Sequence, residues 1–404
     1  MITKDFLKAG HAPTLLSAFL YFDMSFMVWV LLGALGVQIA ASLGLTPAEK
    51  GFMVAVPILA GAVLRMVNGV LVDRIGPKKT GAISQVIVIV GLLLAWLLHI
   101  NSYGSVLALG VVLGVAGASF AVALPLASRW YPPQYQGIAL GIAGAGNSGT
   151  VLASLFAPSL AKAFGWTSVF GLVAIPLLIT FAIFMLLAKD APDQPPAKTF
   201  SQYLTIFKET DAWWFMFFYG VSFGGFVGLS SSLNIYFNGE FGLPPVTAGF
   251  FTAACVFAGS MVRPIGGGIA DRIGGIRTLS IMYSVAAAAL VILSFKIPSL
   301  YGTLAVLIVG MGALGMANGA IFQLAPQRFR NQIGIMTGLV GMCGGLGGFY
   351  LAASLGLSKQ ITGSYQIGLL GFAALALVAL LGVTFVKKRW RTTWHAFGAT
   401  GVKI

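Results

Sequence analysis

Charged residues are scarce in this chain, and their scarcity excludes most classes of protein. Only 8% of the 404 residues are Asp, Glu, Lys or Arg, whereas a soluble domain carries about a quarter. A chain with so few charges cannot cover a water-facing surface. We therefore exclude a cytosolic enzyme, a secreted disulfide scaffold and a disordered protein, and we expect an integral membrane protein.

Residues that bind metals or form disulfides are also rare. The two cysteines, Cys255 and Cys343, lie in apolar runs, where a thiol is most simply a small buried hydrophobe. The three histidines, His11, His99 and His395, lie at segment ends or in the C-terminal tail. These positions exclude a disulfide framework, and they predict neither a metal site nor any other cofactor.

Long apolar runs make up most of the sequence. Hydrophobic residues account for 58% of the chain, and the mean hydropathy is +0.93. Runs of about 20 apolar residues, enough to cross a bilayer as a helix, recur twelve times. We number these predicted spans 1 to 12, and they cover residues 14–42, 51–72, 80–100, 104–128, 138–161, 166–188, 212–237, 246–270, 277–295, 299–325, 333–357 and 364–386. The pattern predicts an all-α integral membrane protein with twelve transmembrane helices.

A charged, proline-rich stretch separates six spans from six. Residues 189–211, which begin KDAPDQPPAK, are predicted to form a cytoplasmic linker. This prediction assigns residues 1–188 to an N-terminal half. Residues 212–404 form a C-terminal half that ends in a short cytoplasmic tail.

The distribution of basic residues predicts the orientation. With a cytoplasmic N-terminus, 18 of the 24 Lys and Arg residues fall on the cytoplasmic side. The four on the other side are Lys50, Lys162, Lys296 and Lys359. The positive-inside rule then predicts a multi-pass protein of the cell inner membrane with both termini in the cytoplasm. It also accounts for the net charge of +14, so we expect no nucleic-acid partner.

The two halves repeat one another in sequence. Residues 60–80 read AGAVLRMVNGVLVDRIGPKKT and residues 258–278 read AGSMVRPIGGGIADRIGGIRT, with nine of 21 positions identical. Spans 5 and 11 share a glycine pattern that pairs Gly144 with Gly341. Two six-helix pseudo-repeats are typical of transporters whose substrate site lies between the halves, near the bilayer midplane.

Each repeat carries one arginine at the matching position. Arg65 and Arg263 each precede the Asp of the DRIG sequence by eight residues, roughly 12 Å along a helix. A guanidinium group at that depth costs several kcal/mol unless it is paired. A structural pair would need a carboxylate, and Asp23 is the only acidic residue that falls within a predicted span. We therefore predict an anion site on which both arginines converge.

Asp23 is itself a candidate proton-coupling group, since an isolated carboxyl in an apolar segment can take up and release a proton. The alternative is a structural acid that is hydrogen-bonded locally or paired with an arginine. Asn147 is a second candidate, because an amide in the core needs partners and can donate to an anion. The glycines around it, in GIAGAGNSG, are equally explained by close helix packing.

The remaining candidates are weaker when taken alone. Phe120, Tyr219 and Phe223 lie near the middles of their spans, where aromatic rings usually serve packing but could also clamp a flat anion. Two charged turns repeat between the halves, and each is either a gating contact or simply a charged cytoplasmic turn. The candidate gating residues are Asp73, Arg74, Asp271 and Arg272.

The charged turn GVLVDRIGPKK and its copy GGIADRIGG, with twelve spans and a central linker, resemble the major facilitator superfamily. Within it, AGAGNSG in span 5, GLVGMCGGLGG in span 11 and one arginine in each of spans 2 and 8 resemble the nitrate/nitrite porter family. The resemblance implies an anion-binding role for one set of residues. They are Arg65, Arg263, Asn147, Phe120, Tyr219 and Phe223, with Gly144 and Gly341 close to the anion.

The family includes proton-linked nitrate importers and nitrate/nitrite exchangers, and the DMSFMVW segment around Asp23 is similar to the proton-linked group. The resemblance thus implies a monomeric secondary transporter in the lipid bilayer that moves nitrate, and nitrite as well, by alternating access with protons. A nitrate/nitrite antiporter is the alternative. Organic phosphate is a further alternative, although a dianion would call for extra Lys or His in the spans. An anion channel and a membrane enzyme or receptor are weaker interpretations.

Overall fold

A computed structural model describes residues 4–192, 205–329 and 333–394. Four residues named in the sequence analysis or counted there as cytoplasmic charges lie outside these ranges. They are Lys198, Arg330, His395 and Lys403. Within the described residues the chain is helical throughout, and twelve helices are long and apolar enough to cross a membrane. The predicted fold class is therefore confirmed. The helices are Lys4–Ala9, Ala12–Trp29, Leu31–Ala34, Gly36–Leu43, Pro47–Ile75, Pro77–Leu97, Tyr103–Gly117, Phe120–Ser128, Pro133–Gly144, Gly149–Phe164, Trp166–Leu187, Thr210–Phe241, Pro245–Met261, Arg263–Ile273, Gly275–Ser294, Leu300–Arg328, Ile333–Thr362 and Gln366–Thr393.

Several helices extend beyond the apolar runs that predicted them. Span 2 begins at Pro47, where Thr46 and Glu49 form a reciprocal capping box that satisfies the first backbone N–H groups. Polar caps and charged last turns thus lengthen the helices at both ends. As a result Asp23 is not the only acid within a spanning helix, since Asp73 and Asp271 lie in the last turns of spans 2 and 8.

Four spans are interrupted near their middles. Span 1 is irregular at Val30 and Leu35, span 4 at residues 118–119 and span 8 at Val262. Span 5 contains a 3₁₀ turn, Ala145–Ser148, between two α-helices. Such breaks release backbone groups from the helical hydrogen-bond ladder, so they supply polar atoms in the bundle interior.

Glycines bring the two groups of six spans into close contact at the face opposite the chain termini, which we call the distal face. A Cβ on Gly51 would lie 2.7 Å from the Cα of Gly356, and a Cβ on Gly33 would overlap the carbonyl of Ser231. The side-chain amide of Asn234 also donates to the carbonyl of Ala34 across the same interface. The distal face is closed by these contacts.

The interface opens toward the face that carries the termini, which we call the terminal face. Gly69 lies one turn beyond Arg65 on span 2, and Gly338 and Gly141 lie one turn before Gly341 and Gly144. A Cβ added at any of these three positions would face open space, with no neighbouring atom within 4 Å. The space between the halves is therefore wider toward the terminal face.

The glycine contact at the distal face makes a testable prediction. We expect Gly51→Val to push the halves apart there, because even a Cβ at this position meets the Gly356 backbone. Val54, which is buried nearby, serves as the reporter in a Val54→Cys variant on a Cys255→Ala/Cys343→Ala background. Its thiol should react several-fold faster with an impermeant maleimide added at the distal face.

Gly104→Val is the matched control, since position 104 lies at the distal end of span 4 and faces open space. Equal labelling rates in the Gly51→Val and Gly104→Val proteins would show that the glycine contact does not hold the distal face closed.

Candidate functional site

Arg65 lies fully inside the bundle and is held by backbone carbonyls. Only 1% of its surface is exposed. Its Nε donates to the carbonyl of Gly117 at 3.0 Å, and its Nη1 donates to the carbonyl of Gly341 at 2.5 Å. Because Gly341 belongs to span 11, Arg65 connects the two halves. Its Nη2 is buried and has no partner among the described residues.

The break in span 4 explains how Gly117 can accept this hydrogen bond. In a regular α-helix its carbonyl would accept from the N–H four residues later, which is that of Ala121. Here Ala121 donates instead to Ala118 at 3.1 Å, so the Gly117 carbonyl is released and turns to the guanidinium group. The same break places Phe120 at the first position of the following helix.

Arg263 approaches the same place from the second half. It is the first residue of the helix that resumes after the irregularity at Val262. Its guanidinium carbon lies 5.2 Å from the ring centre of Phe322 and 6.0 Å from that of Phe120. Its Nη1 is buried and has no partner in the described part of the chain. The predicted convergence of Arg65 and Arg263 is thus present in the geometry.

Aromatic rings surround the Arg65 guanidinium group. Its central carbon lies 5.1 Å from the ring centre of Phe223, 5.2 Å from that of Trp29 and 5.5 Å from that of Phe120. Tyr219 stacks on Phe223 with ring centres 5.0 Å apart. Cation–π attraction at such distances, in a desolvated site, contributes about 2 kcal/mol per contact.

Two members of this aromatic set, Trp29 and Phe322, were not predicted. Trp29 is held in place by its indole N–H, which donates to the carbonyl of Pro57 at 2.8 Å. Phe322 meets the edge of Tyr219 at 5.3 Å and also packs against Phe120. No sequence signal separates these two rings from the many other aromatic residues in the spans.

The electrostatics of the site leave it short of negative charge. The charged group that acts on Arg65 is Arg263, which repels it. The Tyr219 hydroxyl is neutral and faces the Arg263 guanidinium group. No carboxylate in these ranges forms an ion pair with either arginine. A paired, purely structural role for the arginines is therefore not supported.

The span 5 candidates, Asn147 and Gly144, have no described contact with the arginines. Asn147 is buried in the 3₁₀ turn, and both of its amide atoms lack partners within the described ranges. No contact described for this residue joins it to Arg65 or Arg263. Gly144 has open space in front of it, whereas a Cβ on Gly341 would lie 3.4 Å from the Arg65 side chain.

Asp23 in span 1 is hydrogen-bonded to span 5, and within the described residues it is not paired with an arginine. Its carboxylate accepts from the Ser148 hydroxyl at 2.7 Å, and the backbone N–H of Gly149 also points to it. Ser148 directly follows Asn147 in the 3₁₀ turn. The acid in span 1 is thereby connected to the polar segment of span 5.

The two charged turns differ. Asp73 pairs with Arg129 at 3.0 Å, at the terminal end of span 4. In the second copy Asp271 and Arg272 are exposed, and neither forms an ion pair within the described ranges. Arg74 is also exposed. The gating role of these four residues stays a prediction.

Together, these residues offer the charge and hydrogen-bond donors that a small anion needs. Two guanidinium groups from opposite halves each retain a free N–H, and the surrounding rings exclude water and offer flat faces. The site lies where the halves meet, and the space between them widens from there toward the terminal face. A twelve-span bundle with a buried polar site between its halves is the arrangement of an alternating-access membrane transporter.

Comparison with known proteins agrees with this class. Residues 17–352 match the Major Facilitator Superfamily profile, and the chain belongs to that family. It is similar to a nitrite extrusion protein of Bacillus subtilis, with 32% identity over 92% of this chain and 93% of the relative. It is also similar to a probable nitrate/nitrite transporter, NarK2, of Mycobacterium tuberculosis, with 33% identity over 92% and 95% of the two chains.

Solved structures support the fold independently. A bacterial homologue of the human lysosomal transporter Spinster superposes with a TM-score of 0.69 at 17% identity, covering 96% of this chain and 98% of that one. The resemblance inferred from the charged turns, glycine patterns and paired arginines is therefore confirmed.

Glycines in span 11 leave room for the aromatic rings, and this can be tested. A Cβ on Gly344 would lie 2.7 Å from the Tyr219 ring and 2.8 Å from the Phe223 ring. We expect Gly344→Ala to cost about 1–3 kcal/mol through overpacking and to lower the midpoint of thermal unfolding in detergent.

Gly338→Ala, on the same helix but facing open space, is the control. It should leave the midpoint unchanged or raise it, because alanine favours a helix by about 0.5–1 kcal/mol. If both variants unfold at the same temperature, the Tyr219–Phe223 stack does not depend on Gly344.

Proposed function

We propose that this protein is a secondary transporter that moves nitrate and nitrite across the membrane by alternating access, with the anion bound between Arg65 and Arg263. The single observation that carries the proposal is the pair of guanidinium groups from opposite halves. Each keeps a buried, unpartnered N–H, and no described carboxylate balances either charge. An anion supplies the missing acceptor and charge.

Geometry and charge favour a flat monovalent anion. Guanidinium groups present their donors in a plane, which suits a planar oxyanion, and the rings of Phe120, Tyr219 and Phe223 provide flat walls. One negative charge offsets half of the positive charge, so the bound site keeps a net positive charge. A tetrahedral phosphate dianion fits flat ring faces less well than a planar anion does, and no Lys or His in the described ranges lies beside either arginine to supply further donors. The relatives named for nitrate and nitrite support the same choice.

Binding and movement are connected through the arginines. Without an anion, Arg65 and Arg263 repel one another across the half-interface and oppose closure around the site. Nitrate offsets that repulsion and lets the halves rock about it. Glycine faces on spans 2, 5 and 11 allow helices to slide closely past one another. With both termini in the cytoplasm, the open terminal face is the inward one and the inner membrane is the site of action.

Uphill anion import requires coupling. The membrane potential opposes entry of a negative charge by about 2.3 kcal/mol per 100 mV, so uptake needs either more than one proton per nitrate or an outgoing anion. Asp23 is the proposed proton carrier. Protonation turns its carboxylate into a donor, which changes its hydrogen bond with Ser148 and thereby the 3₁₀ turn that carries Asn147.

Nitrate/nitrite exchange is the second candidate, and a specific observation favours it. Asp23 is satisfied by Ser148 and Gly149, as expected for a purely structural acid, and a similar protein is named for nitrite extrusion. The two mechanisms differ in what drives uptake, so transport measurements separate them.

The arginines provide the direct test of the function. We expect Arg65→Lys and Arg263→Lys each to lower nitrate transport in proteoliposomes by about 10- to 100-fold, because each loses charge-assisted hydrogen bonds worth about 1.5–3 kcal/mol. Arg277→Lys, at an exposed position on the terminal face, is the control and should transport normally. Full activity in both site variants would contradict the proposed anion site.

Asp23 provides the test of coupling. Vesicles with an inward proton gradient and no internal anion are compared with vesicles loaded with nitrite. Proton-driven nitrate uptake should be lost in Asp23→Asn and kept in Asp5→Asn, which alters an exposed acid outside the spans. Uptake that needs internal nitrite and is insensitive to Asp23→Asn would instead establish the exchanger and leave Asp23 with a structural role.

A further inference from the structure

A second space between the halves, largely apolar but with two lysines in its lining, lies at the distal face, separate from the arginine site. A cavity of about 200 Å³ opens between the halves there and is lined by spans 1, 2, 7 and 11. Its polar lining includes Lys50, Lys359, Asn238 and the two tyrosines Tyr236 and Tyr365. The cavity is bounded by the Gly51–Gly356 contact that closes the pathway.

The lining of this cavity carries a net positive charge. Its two lysines differ in whether a carboxylate pairs with them. Lys359 is neutralised by Glu240 at 2.6 Å, an acid that also faces Lys296 at 3.9 Å. Lys50 forms no ion pair with any described carboxylate. Its neighbour Glu49 is engaged by the backbone N–H and hydroxyl of Thr46 at 2.8 and 2.9 Å. Lys50 is thus the lysine of this lining that forms no ion pair with a described carboxylate.

The cavity and the arginine site share the same two helices. Lys50 lies fifteen residues before Arg65 on span 2, about 22 Å away along the axis. Lys359 lies on span 11, which also carries Gly341. When the halves separate at the Gly51–Gly356 contact, the cavity becomes the entrance to the pathway that leads to Arg65.

We infer that this cavity is an anion-capture vestibule, in which Lys50 attracts small inorganic anions to the distal entrance before they reach the arginines. The inference rests on the proposed anion transport and deepens it. A positive charge in a cleft with low-dielectric walls focuses the field and raises the local anion concentration and association rate. Lys50 acts on capture and not on the transport step, because it lies far from Arg65.

The experiment measures nitrate uptake into right-side-out membrane vesicles at low ionic strength. Lys50→Gln should raise KM about threefold with kcat unchanged, since one charge contributes to steering but not to the rocking of the halves. The difference should vanish when potassium gluconate raises the ionic strength, because salt screens the field. Lys50→Arg should restore the normal KM, and inside-out vesicles, which load from the terminal face, should show no change.

Lys162→Gln is the matched control, since Lys162 is an exposed lysine near the distal end of span 5 that does not line the cavity. Equal KM values for Lys50→Gln and Lys162→Gln would overturn the vestibule while nitrate transport itself stands. A KM increase that is insensitive to salt would also overturn it. Absence of nitrate transport by the unaltered protein contradicts the proposed function and, with it, this inference.

Discussion

Two guanidinium groups that face one site without a carboxylate, with Arg65 buried and Arg263 half-buried, are the constraint on which the rest of the site depends. Burying an unpaired charge in a membrane protein costs several kcal/mol, and here the two charges also repel. The protein offsets part of that cost with the carbonyls of Gly117 and Gly341 and with the faces of aromatic rings. It does not offset all of it, because each arginine keeps an unpartnered N–H. The deficit makes the site selective for a ligand that brings negative charge.

The frame around the arginines combines irregular helices with glycines. The break in span 4 releases the Gly117 carbonyl for Arg65 and places Phe120 at a helix start. The break in span 8 places Arg263 at a helix start. Glycines of span 11 let Tyr219 and Phe223 lie against its backbone. Glycines also close the distal face, where Gly51 contacts Gly356, while the terminal side stays open. Small residues along both ends of the interface thus permit two packings, which alternating access requires.

Much of this arrangement could be predicted from the sequence, because its signals are local. Apolar runs predict spans, and the depth of Arg65 and Arg263 follows from counting residues to the charged turns. The stacking of Tyr219 on Phe223 follows from their four-residue spacing on a helix. The Gly117 carbonyl and the Phe322 ring could not be predicted, since one depends on a break in helical hydrogen bonding and the other on how span 10 packs. The hydrogen-bond partner of Asp23 could not be predicted either, because Ser148 belongs to a distant span.

Thermal unfolding in detergent tests directly whether an anion supplies the countercharge that the two arginines lack. We compare the unaltered protein with Arg263→Gln, each without nitrate and with saturating nitrate, and with chloride as the reference anion. We expect Arg263→Gln to be the more stable protein without nitrate, because removing one charge relieves the repulsion on Arg65. We also expect nitrate to stabilise only the unaltered protein, since a ligand raises stability only where it binds. An Arg263→Gln protein that is less stable without nitrate and gains as much from nitrate would contradict the account.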